Sequence, residues 1–334
     1  MNVLPVSQES IQKGASILKS GGLVAFPTET VYGLGADAFN PLALAKVFEV
    51  KDRPRFDPLI IHIAAIETLE KVADLSKLSE DARKKLFLLA ENFWPGPLSI
   101  ILPKNENIPD LATAGLTTAA IRFPDNEAAQ KLIALSTGAV AAPSANPFGA
   151  LSPTKAEHVR QGLGEKVDLI LDGGAARIGV ESTVLDISGE SIKILRHGGT
   201  PREAIVEKVT DTVTDTEEGA LLSPGMLKSH YAPHASLSVH TDKEIVEIQN
   251  EGSSCAFLFF DEKTKDAWLC KQKSKNTAII KVLSKTGDLI EAASNLFKML
   301  HEIDESGADK IFAQASPNHG LGEAINDRLR RGAN

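Results

Sequence analysis

Cysteine is scarce in this chain of 334 residues; only Cys255 and Cys270 are present. Two cysteines cannot supply the framework of bridges that holds small secreted folds together, and their spacing matches no common zinc or redox motif. Both read as free thiols. Long apolar runs are missing too, none approaching the roughly 20 residues that a membrane-spanning helix needs. The first residues lack a basic patch followed by an apolar stretch, so no secretory leader is expected and a cytoplasmic protein is the expectation. Nor is there an excess of positive charge. Lysine and arginine number 36 against 44 acidic residues, a net charge of −8. Residues 1–200 carry 20 basic and 23 acidic groups, and residues 201–334 carry 16 and 21. Neither half has the balance of a general nucleic-acid-binding domain, although a local cationic pocket remains open. Several catalytic signatures are also absent: a P-loop with Gly-Lys-Ser/Thr, a complete G-x-G-x-x-G, and a nucleophile elbow. His230 and His234 have the i, i+4 spacing of metal ligands, but Pro233 between them argues against a shared helix face.

What is present is ordinary in bulk and specific in detail. Hydrophobic content of 43% and charged content of 24% suit a globular protein long enough for two cores. Residues 9–20 pattern as an amphipathic helix that Gly21 and Gly22 end. Apolar runs at 22–26, 59–64, 98–102, 119–123, 139–142, 168–171, 183–187 and 192–195 read as strands. Helical patterns at 41–49, 79–91, 126–136, 154–161 and 201–208 fall between them without strict alternation. This predicts an α/β domain with a mixed rather than purely parallel sheet. Residues 209–235 break the pattern and read as a linker. Beyond it, strands at 236–239, 255–260, 277–282 and 309–313 and helices at 242–250, 287–304 and 320–331 suggest a smaller α/β domain of Rossmann-like layering. The division expected is 1–208, 209–235 and 236–334. No internal repeat is found. The basic end Arg328-Leu-Arg330-Arg331 reads as a partner for the dipole of its helix.

The richest stretch is Phe26-Pro-Thr-Glu-Thr-Val-Tyr-Gly-Leu-Gly-Ala-Asp37. It reads as a strand emptying into a polar loop, the usual address of a small-molecule site in an open α/β sheet. Thr28, Glu29, Thr30 and Tyr32 bring hydroxyls and a carboxylate. Gly33 and Gly35 let backbone approach a ligand. Lys51, Arg53 and Arg55 follow within five residues, stiffened by Pro54; seen alone, such a run is more often a solvated face. Arg122 and Arg196 sit at the ends of apolar strands, and arginine offers planar paired donors to phosphate or carboxylate. His62 lies in an apolar strand after Pro58, where a satisfied core histidine is the ordinary reading. Ser144, Asn146, Ser152 and Thr154 occupy a proline-rich segment that leaves hydroxyls and amides to face a ligand.

The ordered series is more specific than any of its parts. It runs from Phe26–Asp37 through Lys51-Asp-Arg-Pro-Arg55, Asp57-Pro-Leu-Ile-Ile-His62, Trp94-Pro-Gly-Pro97 and Ala120-Ile-Arg122. It continues through Ala141-Ala-Pro-Ser-Ala-Asn146, Ser152-Pro-Thr-Lys155, Asp172-Gly-Gly174, Gly179-Val-Glu-Ser-Thr183 and Arg196-His-Gly-Gly199. Over residues 5 to 205 this resembles the YrdC-like family, specifically its threonylcarbamoyl-AMP synthases. Ser223-Pro-Gly-Met-Leu-Lys-Ser-His-Tyr-Ala-Pro233 resembles the linker of the family's long, two-domain form. The fold implied is a YrdC-like mixed twisted sheet with helices, plus a smaller Rossmann-like C-terminal domain.

The activity implied joins L-threonine, bicarbonate and ATP into L-threonylcarbamoyl-adenylate and pyrophosphate, which feeds threonylcarbamoyladenosine formation in tRNA. Mg²⁺ is expected on the ATP phosphates. Downstream threonylcarbamoyl-transfer proteins are the expected partners, and direct tRNA binding is not required. The resemblance puts Lys51, Arg53, Asp57, Thr118, Ser144, Ser152, Arg196 and Tyr231 at the nucleotide, with Lys51 and Arg53 neutralising charge. It puts Thr30, His62, Arg122, Ala142 and Ser182 at threonine, with Arg122 clamping the carboxylate. The 223–233 segment is expected to act as a lid. Asp57 departs from the asparagine of many relatives; it would either help hold Mg²⁺ or face away. Two other readings stay open: a module for double-stranded RNA, which the acidic balance opposes, and a carbamoyl-phosphate-handling enzyme, which the absent cysteine-rich zinc modules oppose.

Overall fold

The computed structural model describes residues 3–216, 230–252, 254–273 and 278–334. Residues 217–229 lie outside the described residues, and with them most of the expected 223–233 lid. The chain divides into two compact units. The first takes the residues up to 216 except 149–151 and 178–180, and the second takes those two short segments and the described residues from 230 onward. Among the described residues, no helix is long and apolar enough to cross a membrane.

The first unit is one mixed sheet of eleven strands with helices. In chain order the strands are β1 (Val3–Pro5), β2 (Val24–Phe26), β3 (Gly33–Asp37), β4 (Ile60–Ile63), β5 (Leu98–Pro103) and β6 (Thr118–Arg122). Then come β7 (Ala139–Ala141), β8 (Leu169–Asp172), β9 (Thr183–Asp186), β10 (Ile192–Arg196) and β11 (Val213–Asp215). Their order across the sheet is β1-β8-β2-β3-β7-β4-β6-β5-β9-β10-β11. Parallel pairs such as β4–β6 and antiparallel pairs such as β5–β6 make the sheet mixed, as the irregular alternation of helix and strand in the sequence predicts.

One expectation is corrected here. The stretch with Gly33 and Gly35 is not an open ligand loop; it is the strand β3, paired antiparallel to both β2 and β7. The glycines serve packing. A Cβ on Gly35 would lie 2.9 Å from both the Phe26 ring and Val140 Cγ1, so only glycine lets those side chains close over the strand.

Side-chain alternation gives the sheet two unlike faces. Ile61 and Ile63 of β4, Leu98, Ile100 and Leu102 of β5, Ile121 of β6 and Leu185 of β9 join the main core. That core also takes Leu44, Val47 and Phe48 from helix Pro41–Lys51 and Leu86 and Leu89 from helix Glu80–Phe93. On the opposite face, Val24, Phe26, Val140, Leu169 and Leu171 pack under helices Gln8–Lys19 and Glu127–Leu135. Farther across it, Ile60, Ile101, Ala120, Val184 and Leu195 form only a small patch. His62, Ser99 and Arg122 lie on this second face.

The second unit is a parallel sheet of β12 (Ser236–His240), β13 (Cys255–Asp261), β14 (Ile279–Ser284) and β15 (Lys310–Gln314), in the order β12-β15-β13-β14. Helix Glu262–Lys271, which the sequence pattern does not reveal, joins those expected. Its weak amphipathicity explains the miss: only Thr264 and Trp268 of its ten residues are buried. Arg328 is also corrected. Read as part of a basic end that partners the helix dipole, it lies before the last turn and is buried over the Tyr231 ring, 5.0 Å from guanidinium carbon to ring centroid, and pairs with Asp327.

Candidate functional site

Strand register places much of the site. His62 of β4 pairs with Val140 of β7 and with Arg122 of β6; Arg122 pairs with Ser99 of β5; Ser99 pairs with Val184 of β9; Val184 pairs with Arg196 of β10. Residues opposite one another in a ladder share a face. His62, Arg122 and Arg196 therefore belong to one row across the sheet, with about 14 Å of backbone between the two arginines at about 4.8 Å per strand. Thr118 is on the same face but at the other end of β6, about 13 Å from Arg122 at about 3.3 Å per residue. The structure does not bring those two together.

At one end of the row, Arg122 Nη2 lies 2.6 Å from Glu29 Oε1 and donates to Thr30 Oγ1 at 2.9 Å. Its Nε donates to the Gly96 carbonyl at 3.3 Å, and Gly96 N donates back to the Phe123 carbonyl. The Trp94–Pro97 turn thus serves as a brace for Arg122. Glu29 is buried, and its Oε2 has no hydrogen-bond partner among the described residues. Thr28 Oγ1 donates to the Val31 carbonyl and lies 2.8 Å from Thr30 Oγ1, which fixes the turn that carries Thr30. Tyr32, expected to offer its hydroxyl, spends it on the Gly174 carbonyl at 2.7 Å, and burial raises its pKa well above the usual range.

His62 sits beside this group, its ring edge-on to Phe26 at 6.2 Å and its Nδ1 3.2 Å from the Ile60 carbonyl. Burial first, and then the Arg122 charge, pull its pKa down to about 3, so the imidazole is neutral near pH 7. Ala142, expected to lend its backbone, gives its N–H to the Ile60 carbonyl at 2.9 Å; that amide is committed to the sheet.

The basic cluster at 51–55 is not a solvated face. Helix Pro41–Lys51 starts on Asn40, whose side chain accepts from Leu42 N and Ala43 N, and ends where Asp52 turns left-handed at φ 53°. Lys51 is buried on the same helix face as Leu44, Val47 and Phe48, and the turn after it brings Arg53 inward and leaves Arg55 exposed. Lys51 Nζ donates to the Ser144 carbonyl at 2.5 Å and also to the Asn146 carbonyl. Burial, then the nearby Arg53 charge, lower its pKa well below the ordinary lysine range. Arg53 Nη2 lies 2.8 Å from Asp57 Oδ2, and its guanidinium also donates to the Asp57 and Pro58 carbonyls. Asp57 is fully buried; desolvation raises its pKa, opposed by the charges of Arg53, Lys51 and Arg196. The ion-pair contact with Arg53 is close, but neither Asp57 oxygen meets hydrogen-bond geometry among the described residues. Asp57 thus neither faces away nor stands open to solvent; it is buried against Arg53 and feels the charges of Lys51 and Arg196.

The remaining serines are held by groups that the sequence did not point to. Ser152 Oγ donates to Glu181 Oε1 at 2.5 Å. Ser182 Oγ lies 2.8 Å from Ser99 Oγ, and Arg196 Nη2 donates to both the Ser182 carbonyl (2.9 Å) and its hydroxyl (3.1 Å). Gly198 makes this possible, since a Cβ there would lie 2.3 Å from the Glu181 carbonyl oxygen. Tyr231 belongs to the second unit, buried against Phe297 and Arg328. Ser99 and Glu181 are positions that sequence reasoning left out of the site, and Glu29 was singled out for its carboxylate but given no role. Glu29 and Glu181 stood inside quoted motifs, whereas Ser99 had no signal along the chain.

No group of three or more potential metal ligands occurs among the described residues. The geometry suits a substrate with one carboxylate near Arg122 and Thr30 and one polyanionic end near Lys51, Arg53 and Arg196.

Comparison with known proteins agrees in extent and in fold. Residues 16–198 match the Sua5, YciO and YrdC family model described as Telomere recombination. Residues 193–334 match the model described as Threonylcarbamoyl-AMP synthase, C-terminal domain. The threonylcarbamoyl-AMP synthase of Pyrococcus abyssi is 41% identical, covering 98% of this chain and 94% of that protein. That of Bacillus subtilis is 38% identical, covering 99% of this chain and 94% of that protein. The crystal structure of P. abyssi Sua5 complexed with L-threonine matches with a TM-score of 0.85 at 38% identity, covering 99% of this chain and 96% of that one.

Proposed function

The chain belongs to the Sua5, YciO and YrdC family in its two-domain threonylcarbamoyl-AMP synthase form, and we propose that it makes L-threonylcarbamoyl-adenylate and pyrophosphate from L-threonine, bicarbonate and ATP. The product would be handed to threonylcarbamoyl-transfer proteins that modify tRNA, in the cytoplasm, with no need for this chain to bind tRNA. Membership along the full length sets aside the RNA-binding and carbamoyl-phosphate readings.

The observation that carries the reading is the row His62, Arg122, Arg196, with Glu29 and Thr30 bonded to Arg122 and with Asp57, beside Lys51 and Arg53, feeling the Arg196 charge. Threonine's amine captures the carbon of bicarbonate, with loss of water, to give a carbamate anion. A carbamate oxygen then attacks the α-phosphorus of ATP. The bond from that phosphorus to the bridging oxygen breaks, and pyrophosphate leaves with the electron pair. Both reactants are anions, so the protein's task is neutralisation and alignment rather than covalent catalysis. Arg122 is suited to the threonine carboxylate, and neutral His62 and Thr30 to polar contacts beside it. Lys51, Arg53 and Arg196 are suited to the phosphates, with Ser144 and Ser152 alongside.

Magnesium is proposed to arrive on the ATP phosphates. Asp57 does not fit as a resident ligand, since it is buried and already paired with Arg53. The deciding assay is pyrophosphate release by the full chain with ATP and Mg²⁺. Release that requires both threonine and bicarbonate supports the reading; release indifferent to either overturns it.

A further inference from the structure

The second unit has a crevice of its own at the carboxyl ends of its strands. β12 runs into helix Asp242–Glu247 and β13 into helix Glu262–Lys271, and both helices pack on one face, where Ile245 and Trp268 meet Cys255, Phe257 and Phe259. Helices Leu289–Glu305 and Leu321–Gly332 contribute nothing to that cluster; they contact each other and the strands β12, β13 and β14, and so cover the opposite face. β15 lies between β12 and β13 in the sheet, yet it leads into the helix on that opposite face. The chain therefore departs in opposite directions from neighbouring parallel strands. That is the topological switch point at which open α/β sheets bind ligands.

A cavity of about 400 Å³ occupies this place, within the range of small-molecule sites. Its walls include Asp242, Asp261, Lys263, Gln314, Ser316 and Pro317. The base is rigid. Gln314 Oε1 accepts from Phe260 N at 2.8 Å, and its Nε2 donates to Thr264 Oγ1 at 3.1 Å, tying β15 to the end of β13 and the helix after it. The Asn326 side chain holds both the N–H and the carbonyl of Ser316. Ser316 Oγ is buried with no hydrogen-bond partner among the described residues.

The charges select the class of ligand. Asp261 Oδ1 already caps the helix that begins at Glu262, accepting from Thr264 N at 2.7 Å. One free N–H of that helix is thereby satisfied, and Asp242 and Asp261 together outnumber the single ammonium of Lys263 in the lining, so a phosphate is disfavoured. Carboxylates suit hydroxyl donors, and Phe260, Ala315 and Pro317 offer apolar surface to a flat ring. We propose that this crevice binds a nucleoside-like molecule, an uncharged sugar diol carrying a planar base, with the diol toward Asp261.

The test is amide NMR of the full chain titrated with adenosine, ribose or inorganic phosphate. Adenosine should move the Thr264 amide and the Gln314 side-chain amide saturably. Asp261→Asn, which keeps a capping oxygen, should weaken that response about fivefold or more for the loss of one charge-assisted bond. Ala315→Trp should abolish it by filling the crevice, and Arg196→Ala, a change in the first unit, should leave it intact. Unmoved crevice amides at millimolar adenosine would overturn the proposal. So would a response to phosphate equal to that for adenosine, or a response that survives Ala315→Trp and disappears with Arg196→Ala.

Discussion

Arg122 and Glu29 form a buried ion pair, 2.6 Å from Nη2 to Oε1, with Thr30 Oγ1 bonded to the same nitrogen and Glu29 Oε2 left without a hydrogen-bond partner among the described residues. A buried pair costs desolvation at both charges, and removing one member strands the other. The pair also sets the orientation of the guanidinium proposed to hold the threonine carboxylate. Arg122→Lys should therefore raise the threonine concentration for half-maximal rate by about tenfold or more, because an ammonium cannot bond Glu29, Thr30 and a carboxylate in one plane. The ATP requirement should change far less. Initial-rate kinetics with each substrate varied in turn check this; equal rises for both substrates would contradict the assignment.

Threonine should be chosen over valine by its hydroxyl. Valine nearly matches its shape, but a site that bonds the hydroxyl leaves polar groups unpaired around the second methyl. Pyrophosphate release with saturating ATP and bicarbonate should be stimulated by L-threonine well beyond the effect of L-valine. Equal kcat/KM values for the two would remove the hydroxyl-recognising role from Thr30, His62 and Ser182.

Arg53 and Asp57 should behave as a coupled pair in stability. Arg53→Ala strands a fully buried carboxylate and should destabilise the protein by about 3–5 kcal/mol in addition to weakening ATP binding. Asp57→Asn introduced with it should recover part of the stability, since the stranded charge is gone, but not the ATP affinity. Thermal melts and calorimetric ATP titrations of the two single variants and the double variant measure both effects. Additive losses of stability would show that the contact carries no coupling.

Acid should destabilise the protein partly through His62. Its folded pKa, lowered to about 3, lies below the unfolded value of 6.5. Between those values the unfolded chain takes up a proton that the folded chain refuses, so stability falls as pH drops through that window. A single group gives a slope of up to about 1.4 kcal/mol per pH unit. Asp57 acts in the opposite sense, because its raised pKa lets the folded state hold a proton longer as pH rises. The difference between wild type and His62→Asn isolates the histidine. Denaturant unfolding from pH 7 to pH 4 should show a shallower loss for the variant, and parallel curves would mean that His62 titrates alike in both states.

Much of this architecture could be read along the chain, for a local reason. Short apolar runs bounded by turn residues mark strands such as Leu98–Pro103 and Thr118–Arg122. Caps such as Asn40 before Pro41 and Ser79 before Glu80 mark helix starts. Motif order named the family and most of the polar residues near the site. The tertiary structure decided what each of them touches. Gly33 and Gly35 look like a loop because glycine is permissive in one dimension; they are strand because Phe26 and Val140 close over them. Lys51 and Arg53 look solvated because charge usually is; Lys51 is buried because it continues the packed face of its helix and reaches the Ser144 carbonyl, and Arg53 because the left-handed turn at Asp52 brings it to Asp57. Ser99 could not be foreseen at all. Its partners Ser182 and Arg122 are 83 and 23 positions away, and only strand register, a property of the assembled sheet, sets them side by side.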